Sequence, residues 1–358
     1  MAETTPNPEQ LAEMERADSL YQAALVAIGA QTVRETLSLW SDVPPLPNNA
    51  SSQATAKWLA AAVAYVMHRR LRARDLALAY YRYQRALATG KTIGLPGQQN
   101  PPFISLPELK REFEASLSAG QPDTTPVAPV KVDHEVPDWA KVPIPVEEIP
   151  GLQDQLDQIE ADAETELQAS LHTLGPYNLD KKINDLKPAD SVDQSDKDRA
   201  QAHSEAGNRQ AASAARQSMN GARGPLFAVG SSDGGILGFV RASKTGTPCG
   251  WCAMLISRGF VPTPHGKALY KSNQGSGEQS DGSIVTFGDL DLYHDNCQCY
   301  CIPIFSTAQL KSAQFALNRE YAALWPQVTK GLGGKDALKV WRRHFRQAKS
   351  QKTQVAAA

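Results

Sequence analysis

The residues of this sequence best suited to chemistry are its cysteines. All five fall between positions 249 and 301, as Cys249-Gly250-Trp251-Cys252 and then His294-Asp295-Asn296-Cys297-Gln298-Cys299-Tyr300-Cys301. A Cys-x-x-Cys turn converges two thiolates on one ion, and a His-x-x-Cys arriving from further along the chain can close a tetrahedral set. Soft sulfur and imidazole donors select zinc, which tolerates four-coordination well. The candidate ligands are therefore Cys249, Cys252, His294, Cys297 and Cys299. Cys301 is a further thiol, so the fourth ligand stays open among Cys297, Cys299 and Cys301. Disulfides or packing thiols are the plainer alternatives, but five is an odd number for a disulfide framework. The Cys249 turn should open a short helix ending near Gly259 and aim backbone N–H groups at the thiolates, lowering their pKa as a ligand needs.

Two enzymatic readings compete. A zinc nucleobase deaminase carries His-x-Glu followed by Pro-Cys-x-x-Cys, with the glutamate shuttling protons beside a zinc-bound water. His203-Ser204-Glu205 and Pro248-Cys249-Gly250-Trp251-Cys252 match that spelling. The match lacks a strand ahead of His203 to carry the glutamate into a pocket, and it leaves His294, Cys297, Cys299 and Cys301 without a role. A capsid maturation protease or other Cys-His hydrolase, pairing for instance Cys252 with His294, is the second rival. No Gly-x-Ser-x-Gly elbow supports a serine version. A closed set of four protein ligands would instead be structural and non-catalytic.

The wording around the cysteines carries further information. Gly238-Phe239-Val240-Arg241-Ala242-Ser243 leads into Gly246-Thr247-Pro248 and the first cysteine pair, and Ser257-Arg258-Gly259 follows it. Leu292-Tyr293 precedes His294, and Ile302-Pro303-Ile304-Phe305 leaves the second group. This stretch, about 236–305, resembles the MuF-like minor head proteins of tailed phages, also called head morphogenesis proteins. The resemblance implies a structural virion component acting in head assembly at the portal or capsid interior, with DNA packaging or ejection as further roles. It also implies portal, major capsid and scaffold proteins as partners, and a location in the virion head after assembly in the host cytoplasm. Cys301 departs from the simplest form of the family pattern.

Helices must position this site. Apolar residues at helical spacing predict helices over 8–41 and 51–89, separated by Pro44-Pro45-Leu46-Pro47. The arginines of the second, Arg69, Arg70, Arg72, Arg74, Arg82 and Arg85, read as a solvated face or as ion pairs with neighbours, with phosphate binding a lesser reading. Proline density rises over 94–150, where only 106–118 reads as helix and the rest as an extended arm or linker. Helices over 152–171 and 191–221 carry few large apolar residues and should pack edge-on. A glycine-serine turn region is expected over 224–235, a strand over 236–240, and an edge strand at 302–305 marked by Pro303. The loop over 262–289 is polar and glycine-rich. Helices over 309–325 and 336–349 close the chain, the last one basic through Lys339, Arg342, Arg343, His344, Arg346 and Lys349, and so a candidate DNA contact. The regions are 1–93 helical, 94–150 arm, 151–223 acidic helical, 224–305 Cys/His module and 306–358 helical tail. The fold class is α+β, mainly helical, with long N-terminal helices followed by a small Cys/His-stapled α+β module of few short strands. Composition is ordinary for a soluble chain: 358 residues, 41% hydrophobic, 21% charged, net charge −1. That balance supplies no global field toward nucleic acid or anionic lipid. No membrane span or signal peptide is expected.

Overall fold

In a computed structural model of the chain, the described residues are 5–120, 140–186, 192–243, 248–262, 276–278, 284–286, 293–294 and 297–356. Three long helices form the frame: α1 (Pro8–Trp40), α2 (Gln53–Thr89) and α6 (Val192–Ser232). Asn7 and Gln10 cap α1 reciprocally, satisfying backbone donors that the first turn leaves open. Gly90, at φ 70°, ends α2 in the left-handed region that glycine enters without steric cost. α4 (Leu152–His172) and α5 (Asn178–Asn184) lie against α6.

α6 departs from expectation twice. It does not pack edge-on, and it is buried along most of its length, including Ala206, Gln210, Ala214, Ser218 and Ala222. Its small side chains are the physical reason, because they let neighbouring backbones come close. A Cβ on Gly221 would stand 2.4 Å from the Arg70 carbonyl oxygen of α2, and one on Gly207 would stand 2.5 Å from Trp40. The expected glycine-serine turn at 224–235 is also largely helix, since α6 runs through Gly224-Pro225 to Ser232. Pro225 removes one helical donor, but Leu226 and Val229 are buried there and hold the turn in register.

Four of the arginines of α2, Arg69, Arg70, Arg82 and Arg85, are buried, while Arg72 and Arg74 are partly exposed. Arg70 pairs with Glu160 at 2.8 Å, Arg82 with Glu112 at 2.5 Å, and Arg85 with Asp233 at 2.7 Å and Glu147 at 2.5 Å. Arg69 donates to Gln31 and to the Ala119 carbonyl. Of the two readings, ion pairing and buried hydrogen bonding prevail for these four.

The described parts of 94–150 are packed rather than a free arm. β1 (Thr92–Ile93), β2 (Phe103–Ile104) and β3 (Ile144–Glu147) form a sheet of order β1-β3-β2, and α3 (Leu106–Ser116) buries Leu106, Leu109 and Phe113. The rest of that arm, 121–139, lies outside the described residues.

The Cys/His module rests on the C-terminal end of α6. Its sheet has β4 (Gly238–Ala242) between β5 (Phe260–Pro262) and β8 (Tyr300–Ile304), both antiparallel to it. β8 is an edge strand, as β5 is, and Pro303 fits there. β6 (Ser276–Glu278) and β7 (Ile284–Thr286) pair antiparallel within the long loop, most of which lies outside the described residues. α7 (Gly250–Ile256), α8 (Ala316–Val328) and α9 (Gly334–Ala356) complete the chain. The whole is mainly helical α+β, as expected. Among the described residues no helix is long and apolar enough to cross a membrane.

Candidate metal centre

Cys249 is the residue before the first turn of α7, and its sulfur accepts from the Cys252 backbone N–H at 3.4 Å. The helix thus holds the first cysteine pair in place. Gly259, at φ 63°, then reverses the chain into β5. The second group enters where the chain runs into β8, and the Cys297 N–H donates to the His294 carbonyl.

These two segments meet. Cys249 Sγ lies 2.9 Å from His294 Nε2, Cys252 Sγ lies 3.5 Å from the same nitrogen, and Cys252 Sγ lies 3.4 Å from Cys297 Sγ. Two triads have all donor atoms within 4.8 Å of one another, Cys249–Cys252–His294 and Cys252–Cys297–Cys299, and Cys252 belongs to both. Every candidate donor named from the sequence thus belongs to one triad or the other, the two joined through Cys252. Cys301 is in neither triad; its sulfur meets the Tyr293 hydroxyl at 3.3 Å. No disulfide joins any of the five.

The donors fit a soft four-coordinate ion. With zinc–sulfur bonds of about 2.3 Å and zinc–nitrogen bonds of about 2.0 Å, tetrahedral sulfurs stand roughly 3.8 Å apart and a sulfur and a nitrogen about 3.6 Å, so the Cys252–Cys297 and Cys252–His294 pairs need shift by at most a few tenths of an ångström, and the 2.9 Å Cys249–His294 pair would open by about 0.7 Å. The sulfurs also shift one another's ionisation. Cys249 is pulled down to about 4, first by the hydrogen bond with Cys252 and, against burial, by His294 and the Cys252 N–H. Cys252 is pushed up, first by Cys249 and then by Cys297 and Cys299. Cys297 is pulled down by Cys252 and Cys299. Cys299, although the bond with Cys252 lowers it, is raised on balance by Cys297 and burial. So many sulfurs cannot all ionise at this spacing without a cation. A divalent ion would replace the protons.

Three residues that the motifs do not name complete the surroundings. Arg223 of α6 donates to the carbonyls of Cys297 at 2.7 Å and Cys299 at 3.0 Å. Arg241 of β4 reaches the Cys297 sulfur at 3.8 Å. Both guanidiniums lie over the ring of Tyr293, at 3.8 and 4.1 Å from its centroid. Burial disfavours the charge on Arg241, yet Tyr293 and the sulfurs of Cys299, Cys297 and Cys301 raise its pKa. Cationic backing of this kind suits a thiolate-rich site, whose net charge stays negative with a divalent ion bound. An arginine inside the apolar β4 segment, Phe239-Val240-Arg241-Ala242, is the one sequence signal that could have found it. From α8, Asn318 donates to the carbonyls of Arg241 and Ile256, tying β4 to α7.

His203 and Glu205 stand elsewhere. His203 bonds the Val43 carbonyl at 2.7 Å and stacks on Trp40, in the second apolar cluster formed with Trp58, Leu167 and Leu171. Glu205 is exposed and pairs with Lys182. Neither belongs to a donor triad among the described residues.

The protein-family model described as VG15 protein matches residues 178–324, from α5 through the cysteine cluster into α8. The Gene 15 protein of Mycobacterium phage L5 is 25% identical over 111 residues, covering 26% of this chain and 37% of that protein. The match thus spans little more than a third of the relative's length. No solved structure matches. Over part of its length the chain is thus similar to a protein of a phage.

Proposed function

We propose that this protein is a structural minor head protein of a tailed phage, of the MuF-like kind, and that its cysteine cluster is a zinc staple. The observation that carries the reading is the meeting of two separate segments at Cys252, which contacts both His294 and Cys297. Cys249, Cys252 and His294, with Cys297 or Cys299, would hold the ion. Bound there, zinc would supply cross-linking rather than chemistry. On the protein side, α7 presents the first pair, the turn into β8 presents the second group, and Arg223 and Arg241 offset the thiolate charge. The staple would lock β4, α7 and β8 into one module on the end of α6, leaving the long helices to meet portal, major capsid or scaffold protein. The segment that matches the VG15 family model, residues 178–324, spans this whole module, and the similarity to a mycobacteriophage protein supports the reading.

The test is the composition of purified phage heads. A structural component is expected in assembled particles at a fixed copy number, and in heads stopped before DNA entry. Presence in infected-cell lysate but absence from both kinds of particle would contradict it. The rival hydrolase reading requires activity that Cys252→Ser abolishes with folding intact; the staple predicts loss of the fold instead.

A further inference from the structure

Five cysteines and His294 are more donors than one four-coordinate ion can use. Their accessibility is also unequal. Cys249 is exposed, whereas Cys252, Cys297, Cys299 and Cys301 are buried, none more than 4% accessible. Cys252 stands between the exposed sulfur and the buried ones. It shares a donor triad with Cys249 on one side and with Cys297 and Cys299 on the other, all donor atoms of a triad lying within 4.8 Å of one another. Its sulfur is 3.4 Å from that of Cys297, and a sulfur–sulfur bond requires closure to about 2.05 Å. These two sulfurs belong to different segments, α7 and the approach to β8, so a bond between them would join the same pieces that the ion joins.

The plainer reading is an inert structural site. Zinc ligands enclosed on every side are shielded from oxidants, and buried packing thiols are inert for the same reason. This cluster differs in having one exposed sulfur, and in placing next to it a second sulfur within reach of a third. Oxidation of thiols follows access and the presence of a partner sulfur to resolve the first product. Both conditions are met along the line Cys249, Cys252, Cys297.

We propose that the cluster is a site of reversible oxidation, at which a peroxide or a small-molecule disulfide replaces the zinc cross-link with a Cys252–Cys297 disulfide. With hydrogen peroxide, the Cys249 thiolate attacks one oxygen, the O–O bond breaks and hydroxide leaves, so that Cys249 becomes a sulfenic acid. The Cys252 thiolate then attacks the Cys249 sulfur and displaces a second hydroxide. Solvent protonates both hydroxides, so two thiolates lose two electrons and one peroxide becomes two waters. The Cys297 thiolate next attacks the Cys252 sulfur, forming Cys252–Cys297 and returning Cys249 as a thiolate, an exchange without net oxidation. With a small disulfide the first product is a mixed disulfide at Cys249, and one reagent thiolate leaves at each of the first two steps. Deprived of two donors, the set releases its ion, and two charged sulfurs become neutral, which relieves the repulsion that bare thiolates would keep. The proposal rests on the zinc-staple reading; the head-protein reading gives it a setting, assembly in a reducing cytosol followed by release of particles into oxidising surroundings.

The experiment treats the zinc-loaded full-length protein with hydrogen peroxide, blocks the remaining thiols with N-ethylmaleimide and maps tryptic peptides without reduction, while a chromogenic chelator counts released zinc. Cleavage after Lys244, Arg258, Lys271 and Lys311 leaves Cys249 and Cys252 in peptide 245–258 and the other three cysteines in peptide 272–311. The expected product joins these two peptides through Cys252 and Cys297, with one zinc released per link, and a dithiol reductant restores zinc binding. The linked protein should also keep most of the unfolding temperature that chelation takes from the reduced protein. A disulfide confined to 245–258, or sulfinic and sulfonic acids without a disulfide, would overturn the proposal. Cys301→Ser, outside both triads, should form the link at the unchanged rate, while Cys249→Ser should slow it about tenfold or more by removing the exposed sulfur. If Cys249→Ser does not fold, dimedone present during oxidation of the unaltered protein carries that arm: an adduct on Cys249 supports entry there, and an adduct on the buried cysteines alone contradicts it. Zinc that is bound and then released with no link between the peptides would sink this inference and leave the staple standing. A protein that never binds zinc would sink the staple reading, and the same digest would still decide the thiol relay by itself.

Discussion

At the residue scale the centre turns on Cys252. It is buried, shared by both donor triads, and within 3.5 Å of His294 and Cys297. Cys252→Ser is therefore expected to lose the metal outright, while Cys301→Ser, whose sulfur faces Tyr293, should keep it; metal content of the two purified variants decides. Cys297→Ser and Cys299→Ser separate the two candidates for the fourth position, the true ligand being the one whose loss lowers stoichiometry. Arg223→Ala should leave the ligands in place but weaken metal affinity about 10–100-fold, the usual effect of removing a group that orients ligands; chelator competition measures it. The cluster of candidate donors was legible in the sequence because cysteine and histidine at short spacing have few other uses. Arg223 was not legible, since an arginine in a helix says nothing of what its guanidinium will face, and Arg241 stood out only as a charge inside an apolar strand.

At the element scale α6 decides the architecture. Its alanines and glycines bring α1 and α2 close, and the same small residues hid its importance, because burial is usually read from large apolar side chains. Gly221→Val should destabilise by about 1–3 kcal/mol or more, as overpacking against rigid backbone does, since the Arg70 carbonyl lies 2.4 Å from the new Cβ. Gly234→Ala, with nothing within 4 Å, should stay within about 0.5 kcal/mol. Urea unfolding of the two variants makes the comparison. The proline-rich segment misled in the opposite way. Prolines at 101–102 and 145 sit beside or within the short strands of a packed sheet, where few backbone donors are needed. Helix periodicity, by contrast, placed α1 and α2 to within a residue or two, because both carry sustained apolar stripes and clear breaks.

At the scale of the whole molecule, buried phenols set a pH limit. Burial is the leading cause that raises Tyr21, Tyr80, Tyr81, Tyr83, Tyr293 and Tyr300 above their ordinary value. The folded state keeps these protons while the unfolded chain releases them near pH ~10. The stabilisation is complete below that pH and is lost as pH rises through it; the urea midpoint should be flat from pH 8 to 9 and fall steeply above 10. The central claim is that a metal ion joins the two cysteine segments and holds the module on the end of α6. Zinc stoichiometry of protein purified under reducing conditions, followed by thermal unfolding with and without chelator, tests it most directly. The account predicts one zinc per chain and a large drop in the unfolding temperature when it is removed. A metal-free protein with all five thiols titratable and an unfolding temperature indifferent to zinc would contradict it.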